Sequence, residues 1–545
     1  MLLIQRAVAA PYGNARTFRG AIAAGILALA MATASPAQAS VFDQSRSELV
    51  FTKAFRTIGE RYLAPVDFHA MTLAALQALH GKDAGLRLVA QGGTLYLYIS
   101  ESVVGTYALP GSNEAEAWAA LASQAAAGAH SHSTLLSEAG AEEIYELILD
   151  AALGTLDSFS RYSPPREARD HQAQRRGFGG IGIRFTRVDR GIRIEKVLPG
   201  TPAIDGDLRE GDLVIAVGRK GLRGLTAEEV TDLLRGPIDS IVDLSVIRGN
   251  GEGPFPLALR RAQVIPPTVA IEADDGIVTA RVSGFNGNTV PSLRRALVQQ
   301  QHMHPDGLRG VILDLRGNRG GLLRQAVEMV DLFVPAGEII ATKGRHASSS
   351  RTYRASGEAI AVGVPMVVLI NGHSASSAEI VAAALQDHHR ALIVGTNSYG
   401  KGLVQTVVQL PNEGEMALTW SRVVTPSGYP LQGLGVLPTI CTSADKAGLK
   451  WQFDRLREGS ELEITRVLSE WRLVRDAQPA VLERLRAACP GPENAAIELE
   501  AAHSLLVEPG LIDRAIRMER GAPGPAATEV IGLPGEPEGE RAAYH

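Results

Sequence analysis

The chain is poor in cysteine, with only Cys441 and Cys489 in 545 residues. Two thiols without CxxC spacing cannot build a zinc cage by themselves, so no metal site is expected from them, and pairing with each other stays open to them. An excess of charge of one sign is also missing. Against 59 Asp+Glu there are 54 Lys+Arg, a formal balance of −5, and no long Lys/Arg run concentrates positive charge. No nucleic-acid partner is therefore expected, because phosphate binding needs a basic face. Beyond the first 39 residues no stretch reaches the ~18 apolar residues that a helical membrane span requires. Hydrophobic residues at 45% and charged residues at 21% exclude a wholly disordered or collagen-like chain. At roughly 150 residues per domain the length implies three or four domains. Glycine is what the chain has in excess: 57 residues, well above the usual ~7%, clustered in short loops.

Arg6, Arg16 and Arg19 precede an apolar run from Ala21 to Ala34, followed by Ser35-Pro36-Ala37-Gln38-Ala39. A basic segment, a short apolar run and an A-x-A site read as a signal peptide over residues 1–39, cleaved after Ala39. Export to a periplasm is expected, and an uncleaved leader would instead anchor the chain to the inner membrane. Residues 40–165 read as mostly helical, with apolar residues recurring at three and four in 141–154 and a β-like insert at 95–99. Ser163-Pro164-Pro165 ends that region, and the polar residues to Arg176 read as a linker. Over 166–264 short alternating strands (181–185, 192–197, 213–217, 242–247 and 255–259) surround one helix at 226–234, a mainly β domain. From 265 to 441 the rhythm is strand, turn, helix: 310–315 leads into 322–333, and 365–370 leads into 378–385, which predicts α/β with buried strands. Residues 442–520 read as helical, and 521–545, rich in Pro, Gly and Glu, as disordered.

The most informative stretch is INGHSASSAEIVAAALQDHHRALIVGTNSYGKGLVQT, residues 370–406. A buried strand enters a turn, Ser376 stands at a helix start, and the amides of Ser376, Ser377 and Ala378 are expected to be unpaired, donors fit for an oxyanion. The competing reading is local: Ser376-Ser-Ala-Glu379 fits a capping box, whose task is to start a helix. A serine also needs an activator. Lys401, between Gly400 and Gly402, has no acidic residue within ten positions before it or eleven after it, so burial would depress its pKa and make it a general base; otherwise it is a surface lysine. Gln405, four residues on, could orient the amine through its amide oxygen, or be an ordinary strand residue.

Two other readings use the same segment. Gly395 to Lys401 matches G-x-x-x-x-G-K, but Gly402 replaces the Ser/Thr that would hold magnesium, and residues 403–408 look like strand. Ser376 with His373, His388 or His389 and Asp387 could form a Ser-His-Asp set, although adjacent histidines on a helix cannot both face one serine. His130/His132 and His302/His304 are pairs without a third ligand and read as solvated. In the β domain, Gly177-Phe-Gly-Gly-Ile-Gly-Ile183 places glycines before a strand, either as a hinge or as a nest of amides (Gly180, Ile181, Gly182, Ile183) for a peptide's terminal carboxylate beside an exposed strand edge.

Taken together these residues resemble the carboxyl-terminal processing proteases, tail-specific serine peptidases with an inserted PDZ domain. The likeness runs from about Leu156 to Ile440. It rests on DSFSRYSPPREARDHQAQRRGFGGIGI, LPGTPA, LREGDLVIAVG and LLRG, then DLRGNRGGLLRQAVEMVDLF, SASSAEIVAAALQD and SYGKGLVQT. The resemblance implies an α/β protease core of ClpP/crotonase-like type with an inserted mainly β PDZ domain and helical N- and C-terminal regions. It implies a Ser/Lys dyad 25 positions apart, which selects Ser376 and Lys401, with Gln405 as third residue. The Gly320-Gly321 turn and Ser377 would provide oxyanion amides. The family's usual Ala after the nucleophile is Ser377 here, and the loop 204–209 is more acidic than the family's apolar pattern. The implied activity is ATP-independent endoproteolysis of proteins recognised by apolar C-termini, with no cofactor. An adaptor or activator and a homo-oligomer are compatible with it, and membrane association requires an uncleaved leader. The alternative is a catalytically silent or gated PDZ scaffold.

Overall fold

The computed structural model describes residues 42–249, 253–475, 478–491 and 495–521. The expected leader and the tail beyond 521 lie outside the described residues. Helices Gln44–Arg61, Phe68–Gln77, Ala115–His132 and Ala141–Gly154 form the N-terminal region, and the β-like insert is the middle strand, Thr94–Ile99, of a three-stranded antiparallel sheet. Their shared core includes Phe51, Phe55, Trp118, Tyr145 and Ile148, together with Met416 and Leu418 from the far end of the chain.

The segment 165–176 differs from the linker expected of it. It is a helix, Pro165–Arg176, with proline at its first position, where a missing N–H breaks no bond. Only Ala168 and Ala173 are buried on it, too few to mark an apolar stripe in the sequence. Tertiary ion pairs hold it: Arg175 with Glu415, and Arg235 with Asp170 at 2.6 Å. The helix leads to the β domain, a sheet ordered Phe255–Arg260, Ile241–Ile247, Leu213–Val217, Gly191–Val197, Ile183–Val188, with helix Ala227–Leu234 against it. Thr226 caps that helix through a reciprocal box with Glu229.

The α/β region is a six-stranded sheet: Val269–Asp274, Ile277–Val282, Gly310–Asp314, Met366–Ile370, Leu392–Gly395, Ile440–Cys441. The first pair is antiparallel and the rest are parallel. Side chains alternate between two cores. Met366, Val368 and Ile370 face helices Leu323–Asp331 and Ser377–Asp387, while Val367 and Leu369 pack with Leu449, Phe453, Ile497 and Leu505 of the C-terminal helices. Burial on both faces is why these strands read as unbroken apolar runs. Part of the C-terminal region is therefore the second covering layer of the sheet, while Leu468, Trp471 and Leu485 join the first core. Cys441 and Cys489 are joined as a disulfide, Cα–Cα 5.8 Å across 48 positions, which constrains the unfolded chain by about 4 kcal/mol in a loop-entropy account.

Candidate active site

Strand Met366–Ile370 runs into a turn that Asn371 organises. Its Oδ1 accepts from the amides of Gly317 at 3.0 Å and His373 at 3.2 Å. The Ser374 hydroxyl donates to Leu315 O at 2.8 Å and that of Ser377 to Gly321 O at 3.0 Å, so the other two serines of the turn have structural tasks. Ser376 has φ +56 and ψ −114 immediately before helix Ser377–Asp387. A non-glycine residue there is strained, and a strained strand-to-helix elbow lifts a nucleophile clear of its neighbours. The loop 316–321 closes on this elbow. A Cβ on Gly320, whose φ is +98, would lie 2.9 Å from both Ala375 O and Ser376 Cβ, so only glycine permits the approach.

Two of the three amides expected to be unpaired at this helix start have acceptors. Ser376 N–H donates to Glu379 Oε2 at 2.7 Å and Ala378 N–H to Ala375 O at 3.2 Å. Gly320 N–H is also taken, by the Oδ1 of its neighbour Asn318 at 2.8 Å. The amides of Gly321 and Ser377 are left without acceptors among the described residues.

Lys401 comes from the opposite side, on the loop between strands Leu392–Gly395 and Leu403–Gln409. What brings this loop to the elbow is Glu379, which is fully buried. Its carboxylate accepts from Ser398 Oγ at 2.5 Å and from the amides of Gly400 at 2.6 Å, Ser376 at 2.7 Å and Lys401 at 2.9 Å. Sequence reasoning saw Glu379 only as a capping residue. The S-x-x-E signal was present, but the three donors from residues 398–401 have no local signature. Burial pushes the Glu379 carboxyl up, against the pull of those donors.

The Lys401 ammonium donates to Gln405 Oε1 at 3.3 Å, and Gln405 Nε2 donates to Phe159 O, which fixes the amide with its oxygen toward the amine. The Phe159 ring lies 4.9 Å from Nζ. Burial lowers the Lys401 pKa, and Arg161 lowers it further. Carboxylates do reach it despite their absence nearby in sequence: Asp157 and Glu379 pull the other way without reversing the shift. Residues 157–161, at the end of the N-terminal region, thus form one wall of the site.

The histidine set is not assembled. His388 follows helix Ser377–Asp387, so it sits twelve residues from Ser376, roughly 18 Å at 1.5 Å per residue, and its ring bonds to Glu338 O at 2.7 Å. Asp387 faces Arg472 at 3.3 Å. His373 is exposed. The G-x-x-x-x-G-K run is followed by strand Leu403–Gln409, which offers no helix N-terminus to a phosphate. His130 is half-buried against Phe42, with ring centroids 5.4 Å apart, where a solvated residue was expected. Among the described residues no group of three His, Cys, Asp or Glu could hold a metal ion.

In the β domain Gly180 pairs with Ala262 and Ile183 with Val197, so both belong to ladders. Between them the amides of Ile181 and Gly182 meet no acceptor among the described residues. Gly182 has φ +82, and a Cβ there would lie 2.3 Å from Thr201. Strand Ile183–Val188 is the sheet edge. A cavity of about 720 Å³, lined by Arg169, Phe178, Thr231 and Arg235 among others, lies between this domain's helix and Pro165–Arg176 and contains neither Ser376 nor Lys401. In the acidic loop Asp207 pairs with Arg209 and with Arg248, which also pairs with Asp212 beyond the loop.

The model of Peptidase family S41 matches residues 276–442, and that of the PDZ domain matches 169–247. The carboxy-terminal-processing protease of Bartonella bacilliformis is 36% identical over 301 residues, covering 55% of this chain and 69% of that protein. The chain belongs to the carboxy-terminal-processing protease family. The carboxyl-terminal-processing protease of Synechocystis sp. is 32% identical over 306 residues, 54% of this chain and 70% of that one. Among solved structures, the photosystem II D1 C-terminal processing protease aligns at 24% identity over 72% of this chain and 92% of its own, with a TM-score of 0.37. In this processing-protease chain the S41 domain carries both Ser376 and Lys401. The PDZ match begins inside helix Pro165–Arg176, and strand Phe255–Arg260, beyond the match, completes the PDZ sheet by pairing with Ile241–Ile247. No helix among the described residues is long and apolar enough to cross a membrane.

Proposed function

We propose that this processing-protease family member is an exported serine endopeptidase that attacks protein substrates selected by apolar C-terminal segments, with Ser376 as nucleophile and Lys401 as general base. The observation that carries the reading is the shared carboxylate of Glu379, which binds the backbone of the nucleophile elbow and of the base loop at once. Neutral Lys401 takes the proton of Ser376 Oγ, and Oγ bonds to the substrate carbonyl carbon. The carbonyl electron pair moves to oxygen, where the amides of Gly321 and Ser377 receive it. The Lys401 ammonium returns the proton to the leaving amine, and water releases the acyl group by the same steps. Gln405, fixed by Phe159, keeps the amine aimed. No nucleotide or other cofactor enters. The amides of Ile181 and Gly182 would receive the substrate's terminal carboxylate, with its last residues laid along strand Ile183–Val188. Export rests on residues 1–39 of the sequence, and a Cys441–Cys489 disulfide suits an oxidising compartment.

One observation favours a gated form of this enzyme. With Gly320 N–H held by Asn318, the 316–321 loop offers one amide to an oxyanion where the family resemblance implies two. Digestion of a loosely folded protein and of an apolar-tailed peptide by residues 40–545, beside Ser376→Ala and Lys401→Ala, tests the assignment. Cleavage lost in both variants supports the dyad, and cleavage surviving Lys401→Ala moves the base elsewhere. Binding without turnover by the wild type identifies the gated form.

A further inference from the structure

The S41 match ends at residue 442, yet the base loop is gripped from outside it. Helix Pro479–Arg486 ends in Arg486, whose guanidinium donates to Ser398 O at 2.9 Å and to Leu434 O at 2.6 Å. Three residues on, Cys489 O accepts from Asn397 N at 3.1 Å, and the Asn397 side-chain amide donates to Arg486 O. Residues 397 and 398 are thus bound on the outer side by the C-terminal region, while 398, 400 and 401 are bound on the inner side by Glu379. The two grips meet at Gly435: a Cβ there would lie 2.6 Å from Ser398 Oγ, 3.1 Å from Arg486 Nη1 and 3.2 Å from Glu379 Oε1.

Both Nη atoms of Arg486 donate to loop carbonyls, and among the described residues it forms no ion pair. Its charge lies in the field of Glu379. The segment carrying it is bonded covalently to the sheet, because Cys489 is joined to Cys441 at the end of the sixth strand. One edge of the sheet, the Cys441–Cys489 disulfide, helix Pro479–Arg486 and the loop of the base form a closed circuit. A loop with glycines at 400 and 402 would otherwise be free to swing.

We propose that Arg486, held by the Cys441–Cys489 bridge, is a positioning residue for Lys401. It fixes the Ser398 carbonyl so that the amides of Gly400 and Lys401 reach Glu379 and the amine stays buried against Phe159. This rests on the reading of Lys401 as general base. The C-terminal region, apart from covering the sheet, completes the catalytic loop.

The test uses the chain from residue 40 to 545 with Arg486→Met, Arg486→Lys, Asn397→Ala and the double variant Cys441→Ser/Cys489→Ser. Turnover of an apolar-tailed peptide gives kcat and KM, and pH-dependent acetylation of Lys401, followed by mass spectrometry, gives its ionisation without any need for activity. Arg486→Met is expected to lower kcat 10- to 100-fold with KM within twofold, and to move the acetylation midpoint toward that of an ordinary lysine as water reaches the amine. Arg486→Lys recovers part of both, and the bridge-less variant follows Arg486→Met. Should Arg486→Met not fold, Asn397→Ala, which frees the same loop, carries the same expectation. An unmoved midpoint with kcat within twofold in the folded variants overturns the proposal. Ser376→Ala in the same assay separates the two claims. Cleavage persisting there overturns the dyad, whereas cleavage lost there and kept in Arg486→Met overturns only the positioning role.

Discussion

Glu379 and Lys401 are joined through the backbone, the lysine amide donating to Oε2 at 2.9 Å, so the carboxylate holds the chain that carries Lys401 and leaves the amine itself to Gln405. Because the same oxygen accepts from Ser376 N, loss of the carboxylate should separate Ser376 from Lys401. Glu379→Gln keeps the shape but turns half of a four-donor acceptor into a donor. A buried donor without an acceptor costs about 1–3 kcal/mol. Turnover is expected to fall at least 100-fold, and the urea midpoint to drop by an amount worth about that range. Near-normal turnover in Glu379→Gln would show that the two segments hold their places without it.

Ser377 departs from the alanine that the family resemblance implies after the nucleophile, and its hydroxyl donates to Gly321 O at 3.0 Å. That bond ties the helix start to the Gly320-Gly321 turn and occupies the hydroxyl, so the proposed chemistry does not need it. Ser377→Ala should keep turnover within about threefold and lower stability by about 1 kcal/mol, the usual net worth of one hydrogen bond. A loss of turnover far beyond threefold would place the hydroxyl in the chemistry.

Much of this site was legible because its signals are local. Met366–Ile370 is apolar throughout because both faces are buried, and the turn after it had to present Ser376 at a helix start. Lys401 and Gln405 lie on one short segment. The rest came from elements that meet only in three dimensions. Phe159 and Arg161 stand some 240 positions before Lys401, and no periodicity links them. Pro165–Arg176 lacks an apolar stripe, so its helix was hidden behind polar composition and its ion pairs to Glu415 and the PDZ domain were unreadable. The C-terminal helices were readable as helices, but nothing in their pattern says which sheet face they cover, or that Arg486 ends against Ser398.

At the far end of helix Ser377–Asp387, His389 and Glu519 share a buried neighbourhood with Arg472. Burial, and then Arg472, takes the His389 pKa down to about 4 from 6.5. A lowered histidine favours the neutral form in the fold, so its contribution is complete above pH 6.5 and is lost as pH falls toward 4. Glu519 runs the other way. Burial pushes it up to about 7 from 4.5, so its contribution is complete below pH 4.5 and is lost as pH rises toward 7. His389 has φ +52, which asparagine tolerates. The stability gap between wild type and His389→Asn should shrink between pH 6.5 and 4, while that between wild type and Glu519→Gln should shrink between pH 4.5 and 7. Denaturant midpoints across pH 4 to 8 read both, and parallel curves would contradict them.

Gly182 has no room for a side chain, since a Cβ would fall 2.3 Å from Thr201, whose hydroxyl bonds to Leu198 O at 2.7 Å. Gly182→Ala must displace that turn and the amides of residues 181 and 182. Affinity for an apolar-tailed peptide is expected to drop at least tenfold by calorimetry. Hydrolysis of a small activated ester, too short to reach the PDZ domain, should be unchanged. Unaltered peptide affinity would move the carboxylate site away from this loop.

Arg161 offers the cleanest way to shift the Lys401 ionisation, and with it the proposed base, without touching the amine. It is exposed, and its charge lowers the Lys401 pKa after the larger effect of burial. A general base works in its neutral form, so the rate should rise with pH through one ionisation lying below the ordinary lysine value of 10.5. Arg161→Gln removes a repelling charge, which favours the ammonium and raises that pKa. The rising limb should shift to higher pH, with the rate reduced near pH 7 and the plateau at high pH unchanged. High salt should shrink the difference between the two proteins, because an exposed charge is screened. A limb that stays in place would mean that the titrating group is not Lys401, and a limb that moves down would reverse the sign of the field assigned to Arg161.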